Sequence, residues 1–298
     1  METVVRQPGE AHPVPGHFAV VKVASDETDQ RFCVLEATLA AGGELTSRLH
    51  RHHKHVESWF VVDGVLEFCS GNQRVLAPAG SFVLVPPSAP HTFGNGGPGE
   101  TRIFAFYTPG GMDRFIAELA RLRSMDDPGF KAFATLFERY DTEPADADVP
   151  ADIPVRVIAP GEGEHLSLAG GTITILADSA ATGGSFGVVD YTAPPGFPGP
   201  PPHRHREIVD VFYVLEGELT LEIEGESIAA QPGTLAAVAP GTVHRFSNPS
   251  DRPARFLGIV SPGGFEQYFR DVAAAIGDGP FDPAVVGPLI AKYDYEAV

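Results

Sequence analysis

Short apolar runs punctuated by turn residues set the pattern of the chain. Residues 18–24 form a first run, closed by the polar turn Ser25-Asp26-Glu27-Thr28-Asp29, and residues 31–39 form a second that ends at Gly42-Gly43. The run from Ser58 to Val62 stops at Asp63-Gly64, the next from Val65 to Phe68 stops at Gly71-Asn72, and residues 73–76 end at Pro78-Ala79-Gly80. Residues 82–85 and 101–107 complete the series. Such spacing of short strands and turn signals predicts an all-β barrel or sandwich. The period then changes. Met112, Phe115, Ile116, Leu119 and Leu122 recur at helical spacing, and residues 129–139 read as a second helical piece.

The chain also matches itself at a shift of 153 residues. His50 falls on His203, His52 on His205, Gly64 on Gly217, Gly80 on Gly233, His91 on His244 and Asn95 on Asn248. Pro109-Gly110-Gly111 falls on Pro262-Gly263-Gly264, Tyr140-Asp141 on Tyr293-Asp294, and Glu57 on Asp210, still a carboxylate. A single shift with no net insertion marks a tandem duplication. The expected division is residues 1–145 and 155–298, each ending in short helices. Residues 141–154, rich in Asp, Glu, Pro and Ala, are the expected linker.

Chemistry concentrates at His50-Arg51-His52-His53-Lys54-His55-Val56-Glu57. Residues two apart on a strand face one side, so His50 and His52 can aim at one point. Glu57 on the following strand and His91 from a distant loop would complete a metal site; a solvated surface cluster is the competing account. The duplication separates the two. His53 and His55 fall on Arg206 and Ile208, whereas six of the eleven histidines sit at the duplicated positions. The expected ligands are therefore His50, His52, Glu57 and His91, and His203, His205, Asp210 and His244.

Composition narrows the partners. The 33 glycines and 28 prolines suit many strands joined by turns. A net charge of −18 argues against nucleic acid and anionic membrane surfaces. No apolar run reaches membrane-spanning length, and the first residues lack a signal-peptide core. Two cysteines, Cys33 and Cys69, make no disulfide framework, so a reducing cytoplasm is expected. With two fused barrels, either a monomer or a homodimer is expected.

These residues resemble the cupin family. The first copy reads Gly43, His50-x-His52, Glu57, Gly64, then Gly80, Pro86, His91 and Asn95; it departs in one extra residue after Gly43 and in Ser88 where glycine is usual. The second reads Gly196, His203-x-His205, Asp210, Gly217, then Gly233, Gly241, His244 and Asn248; it departs in Ala239 where proline is usual and in Asp210 for glutamate. Both halves are covered, so the resemblance implies two jelly-roll β-barrels. Phe212-Tyr213-Val214-Leu215-Glu216-Gly217-Glu218 and Ser261-Pro262-Gly263-Gly264-Phe265-Glu266 further resemble bacterial quercetin 2,3-dioxygenase-like (quercetinase or pirin-type) bicupins.

That resemblance implies one divalent metal per domain, among iron, nickel, manganese, cobalt and copper, with iron or nickel first. It implies oxidative cleavage by O2 of a flavonol or related enolisable aromatic, with Glu57 as both ligand and base. Asp210 is one methylene shorter, so the second site is expected to hold its metal differently, to leave Asp210 free as a base, or to be structural. Strand alternation from Glu57 and His91 places Trp59 and Phe93 in an aromatic pocket, with Phe104 and Phe106 sharing a face of the next strand. Phe212 and Phe246 are the second copy's pocket candidates. Arg51 and Arg204 should point outward, and Cys69 has no metal partner. Oxalate decarboxylase or oxidase, sugar isomerase and a non-catalytic small-molecule binder are the competing functions.

Overall fold

The computed structural model describes residues 1–42, 45–127, 129–146, 155–279 and 282–298. Gly43 of the first motif and residues 147–154 of the expected linker lie outside them. The chain divides into two units, Ala11–Gly161 (the first unit) and Met1–Glu10 with Glu162–Val298 (the second unit).

Both units repeat one antiparallel plan. In the first, a seven-stranded sheet runs Arg156–Ile158, Phe82–Val85, Val56–Asp63, Thr101–Thr108, Cys33–Leu39, Ala19–Val23, His12–Pro13. Its counterpart runs Val4–Arg6, Leu235–Val238, Val209–Glu216, Ala254–Ser261, Gly187–Ala193, Gly171–Ala177, Glu164–Leu168. A second sheet completes each unit: Thr92–Asn95, Val65–Ser70 and Gln73–Pro78 in the first, and a five-stranded sheet around Leu219–Ile223 and His244–Ser247 in the second. Side chains from both sheets meet in one core. Trp59, Val61, Ile103 and Ala105 pack with Leu66 and Phe68 in the first unit. Phe212, Val214 and Phe256 pack with Leu219 and Leu221 in the second. Burial of this apolar area drives the closure of sheet on sheet.

The helices stand where the periodicity predicts. Met112–Arg123 and Gly129–Arg139 bury Met112, Phe115, Leu122 and Leu136 against the first core. Glu266–Ile276 and Pro283–Ile290 follow the second barrel. Among the described residues no helix is long and apolar enough to cross a membrane.

The domain boundaries differ from the expected 1–145 and 155–298. Val4–Arg6 pairs with Leu235–Val238 in the second unit, and Arg156–Ile158 pairs with Phe82–Val85 in the first. Each of those sheet edges would otherwise leave a row of unpaired backbone groups, and a strand from the other copy's stretch of sequence satisfies it. Nor is all of residues 141–154 linker, because Thr142–Pro144 is a strand paired with His50–His52.

The repeated asparagines and glycines have structural work. Asn95 Nδ2 donates to the carbonyls of Leu39, Ala40 and Gly99, and Asn248 Nδ2 to those of Ala193, Pro194 and Arg252. Gly64 and Gly217 turn at φ +80° and +72°, with the chain so close that a Cβ would meet Glu100 O at 2.5 Å or Pro253 O at 2.4 Å. Gly64→Ala should therefore cost roughly 2–4 kcal/mol of stability in the first unit, against about 1 kcal/mol for Gly16→Ala, whose Cβ would meet nothing within 4 Å. Trp59, the chain's single tryptophan, is fully buried in that unit, so its fluorescence during denaturant unfolding measures the difference.

Candidate metal centres

The strand His50–His52 places its two outer residues on one face, and His91 reaches them by a mutual backbone bridge, His50 N–H to His91 O at 3.1 Å and His91 N–H to His50 O at 2.8 Å. Ring centroids of His50 and His91 are 4.5 Å apart, and those of His50 and His52 are 5.0 Å apart. Each ring is oriented by a carbonyl at Nδ1. His50 meets Arg48 O at 2.9 Å, His52 meets Asp141 O at 3.1 Å and His91 meets Ala89 O at 3.0 Å. A carbonyl can only accept, so each Nδ1 carries the proton and each Nε2 presents a lone pair. Glu57, on the neighbouring strand, holds Oε1 3.1 Å from His52 Nε2 and Oε2 3.4 Å from His91 Nε2.

The second unit repeats this arrangement. His203 Nδ1 meets Pro201 O at 3.0 Å, His244 Nδ1 meets Thr242 O at 3.0 Å and His205 Nδ1 meets Asp294 O. Asp210 Oδ2 alone reaches both His205 Nε2, at 3.2 Å, and His244 Nε2, at 3.1 Å. The shorter carboxylate thus closes on the same two imidazoles through one oxygen, where Glu57 uses two. His203, His205, Asp210 and His244 bring one ligand atom each within 4.8 Å of one another, as do His50, His52 and His91.

Donor chemistry and burial fit a divalent cation. In the first unit Nε2 of His52 and His91 and Oε1 of Glu57 are buried without a hydrogen-bond partner, as is His205 Nε2 in the second. Buried polar atoms left so are costly unless something binds them. Burial holds His50 and His203 neutral, down to about pH 3, the form that coordinates a metal. Burial would raise the Glu57 carboxyl, but the His91 and His52 rings beside it prevail and hold it at about 2. Asp210 is likewise held ionised: burial opposes the charge, and His205 and His244 overcome it.

The remaining expected residues divide. His53 is on the surface, bonded to Ser88 Oγ and Glu143. His55 is buried, its ring 5.5 Å from that of His52, beside the centre but outside the cluster of converging ligand atoms. Arg51 and Arg204 point away and pair with Glu143 and Glu296. Trp59 lies 5.7 Å from the His91 ring and 4.9 Å from Phe93. Phe104 and Phe106 do not join them. The register sets Glu57 opposite Tyr107 and Trp59 opposite Ala105, so Phe104 and Phe106 share the other face with Phe60 and Ser58, where Phe106 stacks on Phe32. The site's neighbours on that strand are Ala105 and Tyr107. Phe212 and Phe246 line a cavity of about 510 Å³ in the second unit, whose walls include His203 and Asp210.

Sequence reasoning missed Asp141 and Asp294. Each offers its carbonyl to the second histidine of a pair. The Asp294 carboxylate also accepts from the backbone N–H of Arg206, Glu207 and Ile208, and that of Asp141 from Lys54. The repeated Tyr-Asp pair was the available signal.

Residues 36–107 and 189–260 each match the Cupin domain family. The chain is 26% identical over 259 residues to quercetin 2,3-dioxygenase of Bacillus subtilis (strain 168), covering 80% of this chain and 76% of that one. Its fold is similar to protein Ylba from E. coli (TM-score 0.61, 12% identity, 87% and 90% of the two chains). It is also similar to an oxalate decarboxylase variant of Bacillus subtilis (TM-score 0.59, 16% identity, 88% and 78%).

Two predictions follow the ligand geometry. Metal-stripped protein should bind one divalent cation per unit, and His91→Ala should leave one, as counted by elemental analysis after dialysis. The Glu57 and Asp210 carboxylates outweigh burial and raise the His91 and His205 pKa values. Protons should then compete with metal from somewhat above pH 6.5, the ordinary histidine value of about 6.5, and affinity should fall as pH drops further. Titration with cobalt(II) across pH 5–8 (about the histidine range) checks the sign.

Proposed function

The chain is a bicupin, two cupin domains in tandem, and from that premise we propose that it is a metal-dependent dioxygenase acting on a planar, enolisable hydroxy-aromatic compound such as a flavonol. The observation that carries this reading is the convergence of three imidazoles beside a buried carboxylate in each unit, with the aromatic cavity opening onto one such cluster. A divalent transition metal held there would supply a Lewis acid with open coordination positions. Iron or nickel is our first assignment, since imidazole nitrogens suit both.

The chain's own residues supply the rest. The carbonyls at Nδ1 keep the imidazoles aimed inward as neutral donors. The carboxylate, Glu57 in the first centre or Asp210 in the second, stands ready to take the proton of a substrate hydroxyl, leaving the electron pair on oxygen and an electron-rich ring. Apolar walls exclude water from that ring. Both atoms of dioxygen enter the product, so no outside reductant is required.

Oxalate chemistry fits less well. Among the described residues the cavity wall carries Asp210, Glu266 and Asp278 and no lysine or arginine, which opposes a small dianion and suits a largely neutral aromatic. The two cysteines are both free, which supports our assignment to a reducing cytoplasm.

Oxygen uptake decides the matter. Metal-loaded protein given quercetin should consume one O2 per flavonol, followed with an oxygen electrode. If protein with both centres filled consumes none with quercetin or with simpler 2-hydroxy-enones, the dioxygenase reading is wrong.

A further inference from the structure

The two centres share ligands but differ in what surrounds them, and the register allows a position-by-position comparison. In the first unit Glu57 stands opposite Tyr107 and Trp59 opposite Ala105, while Cys33 and Leu35 lie across from Tyr107 and Ala105 on the next strand. In the second, Asp210 stands opposite Val260 and Phe212 opposite Gly258, with Gly187 and Val189 across from them. At these five register positions the second unit carries the smaller residue. Tyrosine becomes valine, tryptophan phenylalanine, cysteine and alanine glycine, and leucine valine. The carboxylate itself loses a methylene.

One row further from the ligands the difference reverses. Val61 opposite Ile103, with Ala37 beyond, becomes Val214 opposite Phe256, with Tyr191 beyond. Tyr191 stacks on Phe256 with centroids 5.1 Å apart and planes 14° apart, and Phe246 and Phe197 stand beside them. Space is cleared at the ligands and flanked by flat rings. The cavity of about 510 Å³ occupies that space.

The first centre is filled at the same positions. Trp59 is fully buried, donates Nε1–H to the Tyr107 hydroxyl at 3.1 Å, and packs on His91 and Phe93. The Glu57 side chain is 4% exposed, against 12% for Asp210.

The geometry points to a division of labour: the second centre receives the planar aromatic substrate, edge-on to His203 and Asp210 and against the wall formed by the rings of Tyr191, Phe246 and Phe256, while the first centre admits no such ligand. This deepens the dioxygenase reading and rests on it for the substrate class alone. The site takes one fused- or linked-ring hydroxy-aromatic per chain. Aromatic walls contribute stacking as well as area, and a cavity of this size lies within the range of small-molecule sites.

The test is anaerobic binding of quercetin to metal-loaded protein, followed by absorbance titration, with wild type, Val260→Tyr and Phe212→Trp. Both substitutions install the residue that the first unit carries at the same register position. Metal content and circular dichroism confirm that each variant is folded and loaded. The expected result is one quercetin per chain, with affinity falling more than about tenfold in Val260→Tyr and measurably in Phe212→Trp. The neutral dye N-phenyl-1-naphthylamine should behave in parallel. Two bound ligands per chain, an affinity indifferent to both substitutions, or no binding of either probe would overturn the proposal. Tight, Val260-dependent binding of either probe without oxygen consumption would remove the dioxygenase reading and leave the division of labour in place.

Discussion

Six main-chain carbonyls decide what this protein is able to do. The carbonyls of Arg48, Asp141 and Ala89 in one unit, and of Pro201, Asp294 and Thr242 in the other, each accept a hydrogen bond from Nδ1–H of one histidine. A histidine without such a partner is free to choose its tautomer and rotate its ring. Fixed this way, three Nε2 lone pairs face one point before any cation arrives, which lowers the entropic cost of assembling the site. Most of those carbonyls lie two residues from the ring they hold. The other two come from Asp141 and Asp294, which are distant in sequence and anchored by their own carboxylates.

Duplication then gave the fold two copies of one constraint, and the copies diverged around it. Metal-facing atoms were kept and the packing next to them changed. In the first unit the Trp59–Tyr107 hydrogen bond fills the barrel beneath Glu57, where burial and the Glu57 charge both raise the Tyr107 pKa. In the second, Val260 and Gly258 leave that space clear and aromatic rings frame it. A barrel core tolerates such exchange when volume lost in one layer is regained in another. Here Phe256 and Tyr191 supply apolar area further along the strands, so the second core stays closed while its centre opens.

The outward arginines illustrate the opposite face of the same strands. Arg51 and Arg204, each between two ligand histidines, pair with Glu143 and Glu296 on the strands that cover the histidine pairs. These surface pairs contribute little stability singly. They lie in register with the backbone pairing that carries Asp141 and Asp294 to the histidines, and so help align it.

The alternation of apolar and polar residues determined the strands and helices, and the 153-residue self-match determined that there are two barrels and that His53 and His55 stand outside the ligand set. Periodicity suffices there because side-chain direction in a strand is a local property. Which strand completes which sheet was decided only in three dimensions: Val4–Arg6 and Arg156–Ile158 are too short to signal their partners, and edge pairing depends on which backbone groups remain unsatisfied. The face on which Phe104 and Phe106 lie was also a tertiary outcome, because it depends on register with the strand carrying Glu57. So was the difference between the two centres. The sequence shows every substitution that clears the second cavity, but only cross-strand register brings Gly187, Val189, Phe212, Gly258 and Val260 to the same side of the sheet as Asp210.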